Sequence, residues 1–366
     1  MNIFENQKTI LSLDAGGTNL VFSAIKKGEL IAEEISIPAA VNSLQEFLGK
    51  LDNGFGQLIK NVGSVDAISF AFPGPADYPK GIIGDLENIP VFKGGVALGP
   101  YLKKKFKVPV FINNDGDLFT LGESLGGLLP YINGELKKQG SHKEYKNLIG
   151  ITFGTGFGGG LVFNNQLIGG DNSAGGEINR MSNPLYPNSS VEESVSIRAI
   201  KRVYTQQANI ELQESPEPID IYQIAKGNKK GNRKAAIHSF KELAIVAADA
   251  LANTITLFDG PVVIGGGLSG AYDIILPTLV SELNKKMKTL DGKEIQRMEV
   301  FAYNLHHPDC LQDFLSHSNQ EIIIPGSSEK IIYDSIKKVA VGVSKLGTSK
   351  AVALGAYAYA IQRLAH

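Results

Sequence analysis

Apolar positions along this chain fall into two kinds of block, separated by glycine-rich or polar punctuation. Short unbroken apolar runs read as buried strands. Ile10 to Asp14 is the first and enters the turn Ala15-Gly16-Gly17-Thr18; Leu20 to Ile25 continues as a second. Val65 to Phe72 is a third, stopped by Pro73-Gly74-Pro75. Val108 to Asn113 delivers Asn114 and Asp115 to its end. Leu148 to Phe153 and Pro261 to Ile264 follow, the latter feeding Gly265-Gly266-Gly267.

The other blocks have helical spacing. Leu118, Leu121 and Leu125 share one face, and Ala235 to Phe258 reads as a long amphipathic helix with Phe240, Leu243, Ala247 and Leu251 on one side. Ala351 to Leu364 is a last helix whose small residues suit close packing. Tyr131 to Lys146 reads as a surface excursion, and 187–232 mainly as surface helices and loops. Strand and helix alternate, which predicts an α/β fold. Ile10 to Thr18 and Gly150 to Gly158 echo each other as strand, glycine turn and returning strand. Two related, domain-sized units are expected from that echo.

Length allows this, since 366 residues can bury two cores. With 43% hydrophobic and 20% charged residues the composition is that of a soluble globular protein. The formal net charge of -1, with scattered Lys and Arg, argues against a nucleic-acid partner. Cys310 is the lone thiol, so neither an internal disulfide nor a cysteine zinc site can form. Met1 to Lys8 lacks the pattern of a signal peptide, and no apolar run approaches the roughly 20 residues that span a bilayer. A cytoplasmic protein without a membrane partner is expected.

The glycine turns suggest phosphate chemistry. In Asp14-Ala15-Gly16-Gly17-Thr18-Asn19, backbone amides can approach a phosphate, Thr18 adds a hydroxyl donor, and Asp14 suits Mg²⁺ held through water. An ordinary tight hairpin fits the same fragment. It is not a Walker loop, because Gly-Lys-Ser/Thr is missing. Gly154-Thr155-Gly156-Phe157-Gly158-Gly159-Gly160 carries more glycine than a strand tolerates unless a ligand or another backbone comes close. Gly265-Gly266-Gly267 would clear space for an adenine or ribose. Asp115, where a strand hands over to a helix, is a candidate general base, and Asn114 can meet a sugar hydroxyl. Both residues also make ordinary helix caps. His306 and His307, near Asp309 and Cys310, have no matching ligand motif elsewhere and read as a solvated loop.

Taken together, these features resemble the ROK family of sugar kinases and sugar-responsive repressors, in the actin/hexokinase/Hsp70 superfamily. The resemblance rests on Leu13-Asp14-Ala15-Gly16-Gly17-Thr18-Asn19, Pro73-Gly74-Pro75, Asn114-Asp115 with Leu121-Gly122-Glu123, the 154–160 turn, Gly175-Gly176-Glu177-Ile178 and Val263-Ile264-Gly265-Gly266-Gly267. It implies a two-domain, actin/hexokinase-like (ribonuclease H-like) α/β fold with mixed sheets and an interdomain cleft. The smaller domain would be 1–114 plus 347–366 and the larger 115–346. It further implies ATP-dependent phosphorylation of a hexose or N-acetylhexosamine, with Asp115 as base. Asn114, Glu177 and Glu193 would bind sugar, with the Gly74 backbone and Asn88 nearby. Asp14, Gly16, Gly17, Thr18, Asn19, Thr155, Gly156, Gly265, Gly266 and Gly267 would face ATP and Mg²⁺, and the protein would be a homodimer.

Two departures stand out. Where the family reads Glu-x-Gly-His, this chain has Glu177-Ile178-Asn179-Arg180, and the cysteine cluster after it is replaced by 183–191. No structural zinc is therefore expected. Arg180 is expected in the sugar pocket, either paired with Glu177 or Glu193 or donating to substrate oxygens, and the cost of burying an unpaired cation favours the ion pair. Packing by Pro184, Leu185, Tyr186 and Pro187 would hold the 182–192 loop. Glu192 competes with Glu193 for the sugar. A non-catalytic sugar sensor is the alternative function, although Asp14 comes too early to leave room for a DNA-reading domain ahead of it. An Hsp70-type ATPase would leave the set Asn114, Asp115, Glu177 and Glu193 without a use. Glucose, fructose, mannose, allose, N-acetylglucosamine and N-acetylmannosamine all remain open as substrates.

Overall fold

A computed structural model describes residues 2–15, 18–74, 76–86, 90–316 and 320–365. Gly16, Gly17 and Asn88, three of the expected ligand residues, lie outside the described residues. The chain divides into two compact units, Met1–Gly127 with Gly160–Gly176 and Lys345–His366, and Leu128–Gly159 with Glu177–Ser344.

The first unit centres on a mixed sheet. Ile10–Ala15 pairs antiparallel with Asn19–Lys26, Ile10 opposite Ile25 and Ala15 opposite Leu20. On its other side it runs parallel to Ala67–Ala71, which runs parallel to Val110–Asn113 with Ala71 opposite Asn113. The carboxyl ends of three neighbouring parallel strands thus leave the sheet along one edge. Helix Leu44–Val62 starts with a reciprocal cap: Glu46 N–H donates to Ser43 Oγ at 3.2 Å, and Asn42 N–H donates to the Glu46 carboxylate at 2.9 Å. Its buried Phe47, Leu51, Phe55 and Leu58 join Phe22, Phe70 and Phe72 in one core. Burying each such side chain contributes about 1.5–3 kcal/mol.

On its other face the sheet carries the small buried residues Ser12, Ser23 and Ser69, and helix Thr348–Arg363 packs over strands Ile10–Ala15 and Ala67–Ala71. That helix also crosses Asp115–Gly126 at backbone contact. A Cβ on Gly122 would overlap the Ala351 carbonyl oxygen, and one on Gly355 would overlap that of Leu118. This crossing brings Asp115–Gly126 into the first unit, whereas the sequence reading ended that domain at 114.

In the second unit Leu148–Phe153, Val262–Gly265, Lys338–Val343 and Phe301–Asn304 lie side by side and parallel. Phe157–Phe163 flanks the first of these, so in both units a strand is followed by a neighbouring strand before parallel strands are added. Helix Arg233–Phe258 buries Phe240, Leu243, Ala247 and Leu251 as the spacing predicts. The excursion expected from Tyr131 is instead helix Leu128–Lys138, which buries Leu128, Leu129, Ile132 and Leu136. Its four apolar positions keep helical spacing among polar neighbours, which concealed the period. Within 187–232, helix Ile197–Ala208 is likewise a core element, burying Ala199, Ile200, Val203 and Tyr204. Among the described residues, no helix is long and apolar enough to cross a membrane.

Candidate active site

In the first unit the candidate residues collect at the carboxyl edge of the parallel strands, the customary ligand edge of an open α/β sheet. Asp14 stands exposed next to the end of its strand, with no ion pair or side-chain hydrogen bond among the described residues. Thr18 and Asn19 are exposed just beyond the turn. Gly74 is exposed after Ala67–Ala71, whose neighbour Phe72 donates its N–H to the Asn113 carbonyl at 2.9 Å. That bond fixes the Gly74 segment beside Asn114.

Asn114 caps helix Asp115–Gly126, its Oδ1 accepting from Gly116 N–H at 2.8 Å. Asp115 is exposed at the first helical position, and its Oδ1 accepts from the same N–H at 2.9 Å. The capping role is therefore real for Asn114. It leaves the Asn114 amide donor and Asp115 Oδ2 without a hydrogen bond among the described residues. The helix bearing them is anchored further on, where the buried Glu123 carboxylate accepts from Leu346 N–H at 3.1 Å.

In the second unit the turn at 154–156 joins two strands, with Thr155 exposed and Gly154 N–H donating to the Gly156 carbonyl at 3.0 Å. Ile197 N–H donates to the Gly154 carbonyl at 2.8 Å, tying the turn to the start of helix Ile197–Ala208. Glu192 supports it from the side, accepting from Phe157 N–H at 3.0 Å. Gly156 leaves the room that this carboxylate fills.

Gly265 is buried at the end of its strand, opposite Thr152. Gly266 has φ +83°, and a Cβ there would overlap the Phe153 carbonyl oxygen. Close approach to the neighbouring strand, rather than room for a nucleotide, requires glycine at this position. Gly267 alone faces open space.

The loop at 177–193 differs from expectation. Arg180 is exposed and forms no ion pair with Glu177 or Glu193, since exposure to water relieves it of the need for a counter-charge. The arginine that does pair is Arg198. Its Nη2 lies 2.5 Å from Glu193 Oε1 and 3.2 Å from Glu192 Oε1, and Arg202 approaches Glu193 at 4.0 Å. The Arg198 hydrogen bond holds the Glu193 carboxyl below its ordinary pKa. Glu177 is exposed ahead of the Ile178–Arg180 turn.

Nor do Leu185 and Tyr186 pack the loop, being 44% and 45% exposed. Asn183, 1% exposed, does that work with four hydrogen bonds. Its amide donates to the Ser190 carbonyl at 3.2 Å and Ser194 Oγ at 2.9 Å. Its Oδ1 accepts from Leu185 N–H at 3.0 Å and Tyr186 N–H at 3.2 Å. Sequence reasoning missed both Asn183 and Arg198. The one signal for Arg198 was its place in the first turn of the helix that follows the two glutamates.

Among the described residues no three His, Cys, Asp or Glu side chains group to hold a metal. His306 is structural: its ring lies 4.7 Å from that of Tyr272, and its Nε2 accepts from Val343 N–H at 3.2 Å. The open carboxylate of Asp14 suits Mg²⁺, a hard cation that keeps most of its waters and takes few protein ligands.

Two α/β units, each opening with a pair of neighbouring strands before its parallel strands, define the actin-like class of phosphotransferase folds. The sequence profile of the ROK family matches residues 10–307, and the chain belongs to that family. It is 47% identical to a glucokinase from Parabacteroides distasonis whose crystal structure matches with a TM-score of 0.89 over 99% of each chain. An N-acetyl-D-glucosamine kinase from Vibrio cholerae is 27% identical over 295 residues, 75% of this chain and 89% of its own. The ROK hexokinase of Thermus thermophilus shares the fold, with 20% identity and a TM-score of 0.67 over 98% of this chain and 100% of its own.

Proposed function

We propose that this ROK sugar kinase moves the γ-phosphate of ATP onto a hydroxyl of glucose, with Asp115 as the general base. One observation carries the reading: Asp115 offers an open carboxylate oxygen beside Asn114, on the sheet edge that also ends in Asp14 and Gly74. Asp115 takes the proton as the sugar oxygen bonds to the γ-phosphorus, and the bond to the bridging β-oxygen breaks to release ADP. Alignment and charge stabilisation dominate such transfers.

Asn114 would donate its amide to a sugar hydroxyl, and Glu177 and Arg180 would meet further hydroxyls, Arg180 having no counter-ion among the described residues. Glu193 adds a carboxylate that Arg198 keeps ionised. Thr18, Thr155 and the glycine turns would receive the phosphates, and Asp14 would hold a Mg²⁺ that offsets their charge. Glucose is put first because the relative at 47% identity is named a glucokinase. Coupled ADP release measured over glucose, mannose, fructose, allose, N-acetylglucosamine and N-acetylmannosamine tests this. Faster turnover of an N-acetylhexosamine than of glucose would overturn the substrate, and no turnover of any would overturn the reading.

A further inference from the structure

The last glycine of the run at 154–160 lies beyond the turn, inside strand Phe157–Phe163. Gly160 is buried, and its φ lies outside the left-handed region, so room and not conformation demands glycine there. A Cβ at Gly160 would stand 2.6 Å from the Gly116 carbonyl oxygen, 2.6 Å from Thr120 Oγ1 and 2.9 Å from Asp117 Cα. Two of these neighbours are backbone of the first turn of helix Asp115–Gly126, so no change of rotamer clears the space. Glycine weakens a strand, and a close second backbone is one reason to keep it. Gly160 and the helix belong to the same unit.

Gly116 is the centre of this contact. Its carbonyl faces Gly160 and accepts from Thr120 Oγ1 at 2.7 Å, while its N–H donates to Asn114 Oδ1 and Asp115 Oδ1. One residue thus receives the strand and holds the acid. The helix has little room to retreat. Leu118 and Gly122 follow Gly116 and Thr120 by two residues, about 200° around the helix. Those two meet helix Thr348–Arg363 at backbone contact, so the first turns are gripped on opposite faces. On the strand side Val162 is fully buried, and past the strand Gln362 Nε2 donates to the Asn165 carbonyl at 2.8 Å.

We propose that Gly160 is a positioning residue for Asp115: the bare backbone of the strand seats the first helical turn and sets where the acid stands. The inference rests on the reading of Asp115 as general base. A methyl group at this position must push the turn away by about 0.5–1 Å to reach ordinary contact distances. A misplacement of about 1 Å can slow a reaction by a factor on the order of 10².

The test is a double-mutant cycle of Gly160→Ala and Asp115→Asn in the full chain, each protein first confirmed folded by circular dichroism. Turnover is measured by coupled ADP release at saturating ATP and the sugar phosphorylated fastest, and affinity for a non-hydrolysable ATP analogue by calorimetry. Gly160→Ala should lower kcat about 10- to 100-fold while analogue affinity stays within about threefold of wild type. Added to Asp115→Asn, the same alanine should cost less than about threefold in kcat, because the group it misplaces is already gone. If Gly160→Ala does not fold, the cycle is run on Thr120→Ala, where the methyl group meets only the two backbone neighbours and the same pattern is expected. Unchanged kcat with the alanine, or losses that multiply in the double variant, would overturn the proposal and leave the reading of Asp115 standing. Analogue affinity falling in step with kcat would return Gly160 to the phosphate turn and overturn it as well. Near-normal kcat in Asp115→Asn alone would remove the base and the proposal together.

Discussion

The carboxylate of Glu192 accepts the backbone N–H of Phe157 at 3.0 Å, joining the loop after Arg180 to the second glycine turn. Arg198 holds the other oxygen of that carboxylate at 3.2 Å. If the turn receives phosphate, Glu192→Ala should weaken binding of a non-hydrolysable ATP analogue about tenfold, the scale of a charge-assisted hydrogen bond. Glu192→Gln keeps an acceptor for Phe157 and should recover most of the loss. Calorimetric titration checks both, and unchanged affinity in the Ala variant would show that the contact is architecture alone.

Arg198 and Glu193 predict a pH dependence of stability. Arg198 lowers the Glu193 pKa in the folded state. A carboxyl lowered by folding stabilises the protein above its unfolded pKa, and the contribution disappears as pH falls through the folded pKa. Arg198→Met should therefore lower Tm at pH 7, and the gap to wild type should shrink towards pH 3. Both side chains are almost half exposed, so the gap will be modest. A gap that is constant across this range would contradict the assignment.

For Asp115→Asn the expected loss in kcat is on the order of 10² or more, the usual scale for a general base. The amide oxygen can still accept from Gly116 N–H, so sugar affinity and Tm should stay near wild type. Near-normal kcat would reduce Asp115 to a helix-start residue.

Because Arg180 has no ion pair among the described residues, Arg180→Ala should leave stability within about 0.5 kcal/mol. Sugar KM should rise while kcat is largely preserved. Steady-state kinetics across several hexoses, with Arg180→His alongside, test whether this side chain reads hydroxyls. An unchanged KM and an unchanged ranking of sugars would remove it from the pocket.

Gly355→Ala should destabilise by about 1–3 kcal/mol, as overpacking against a neighbouring backbone does. The displaced helix carries Asp115, so kcat should fall as well. Urea unfolding together with turnover measures both, and a variant as stable as wild type would dissolve the backbone contact.

What was legible in the sequence was mostly local. The strands, the Asn114-Asp115 handover and the long helix at 233–258 announce themselves through runs and spacing. Helix Leu44–Val62 was legible too, since Ser43-x-x-Glu46 precedes Phe47, Leu51 and Phe55 at helical spacing. Asn183 was not, because its value lies in four partners that only the folded loop assembles. Arg180 and Arg198 could not be told apart for a related reason: sequence supplies the charge, while the loop path decides which guanidinium reaches the glutamates. Gly266 shows the converse. Its motif was visible, but the motif alone did not distinguish a nucleotide from the Phe153 carbonyl as the neighbour that excludes a side chain.

The backbone crossing at Gly122 and Gly355 also bears on how the chain is made. Helix Asp115–Gly126 leaves the ribosome well before residues 348–363, which supply its seat. Contacts so distant in sequence close slowly and late. The nascent chain must therefore carry Asp115 on an unseated helix until residues 348–363 have emerged, with the buried face of that helix in need of protection. A chain that lacks helix Thr348–Arg363 should accumulate in an aggregation-prone, inactive form.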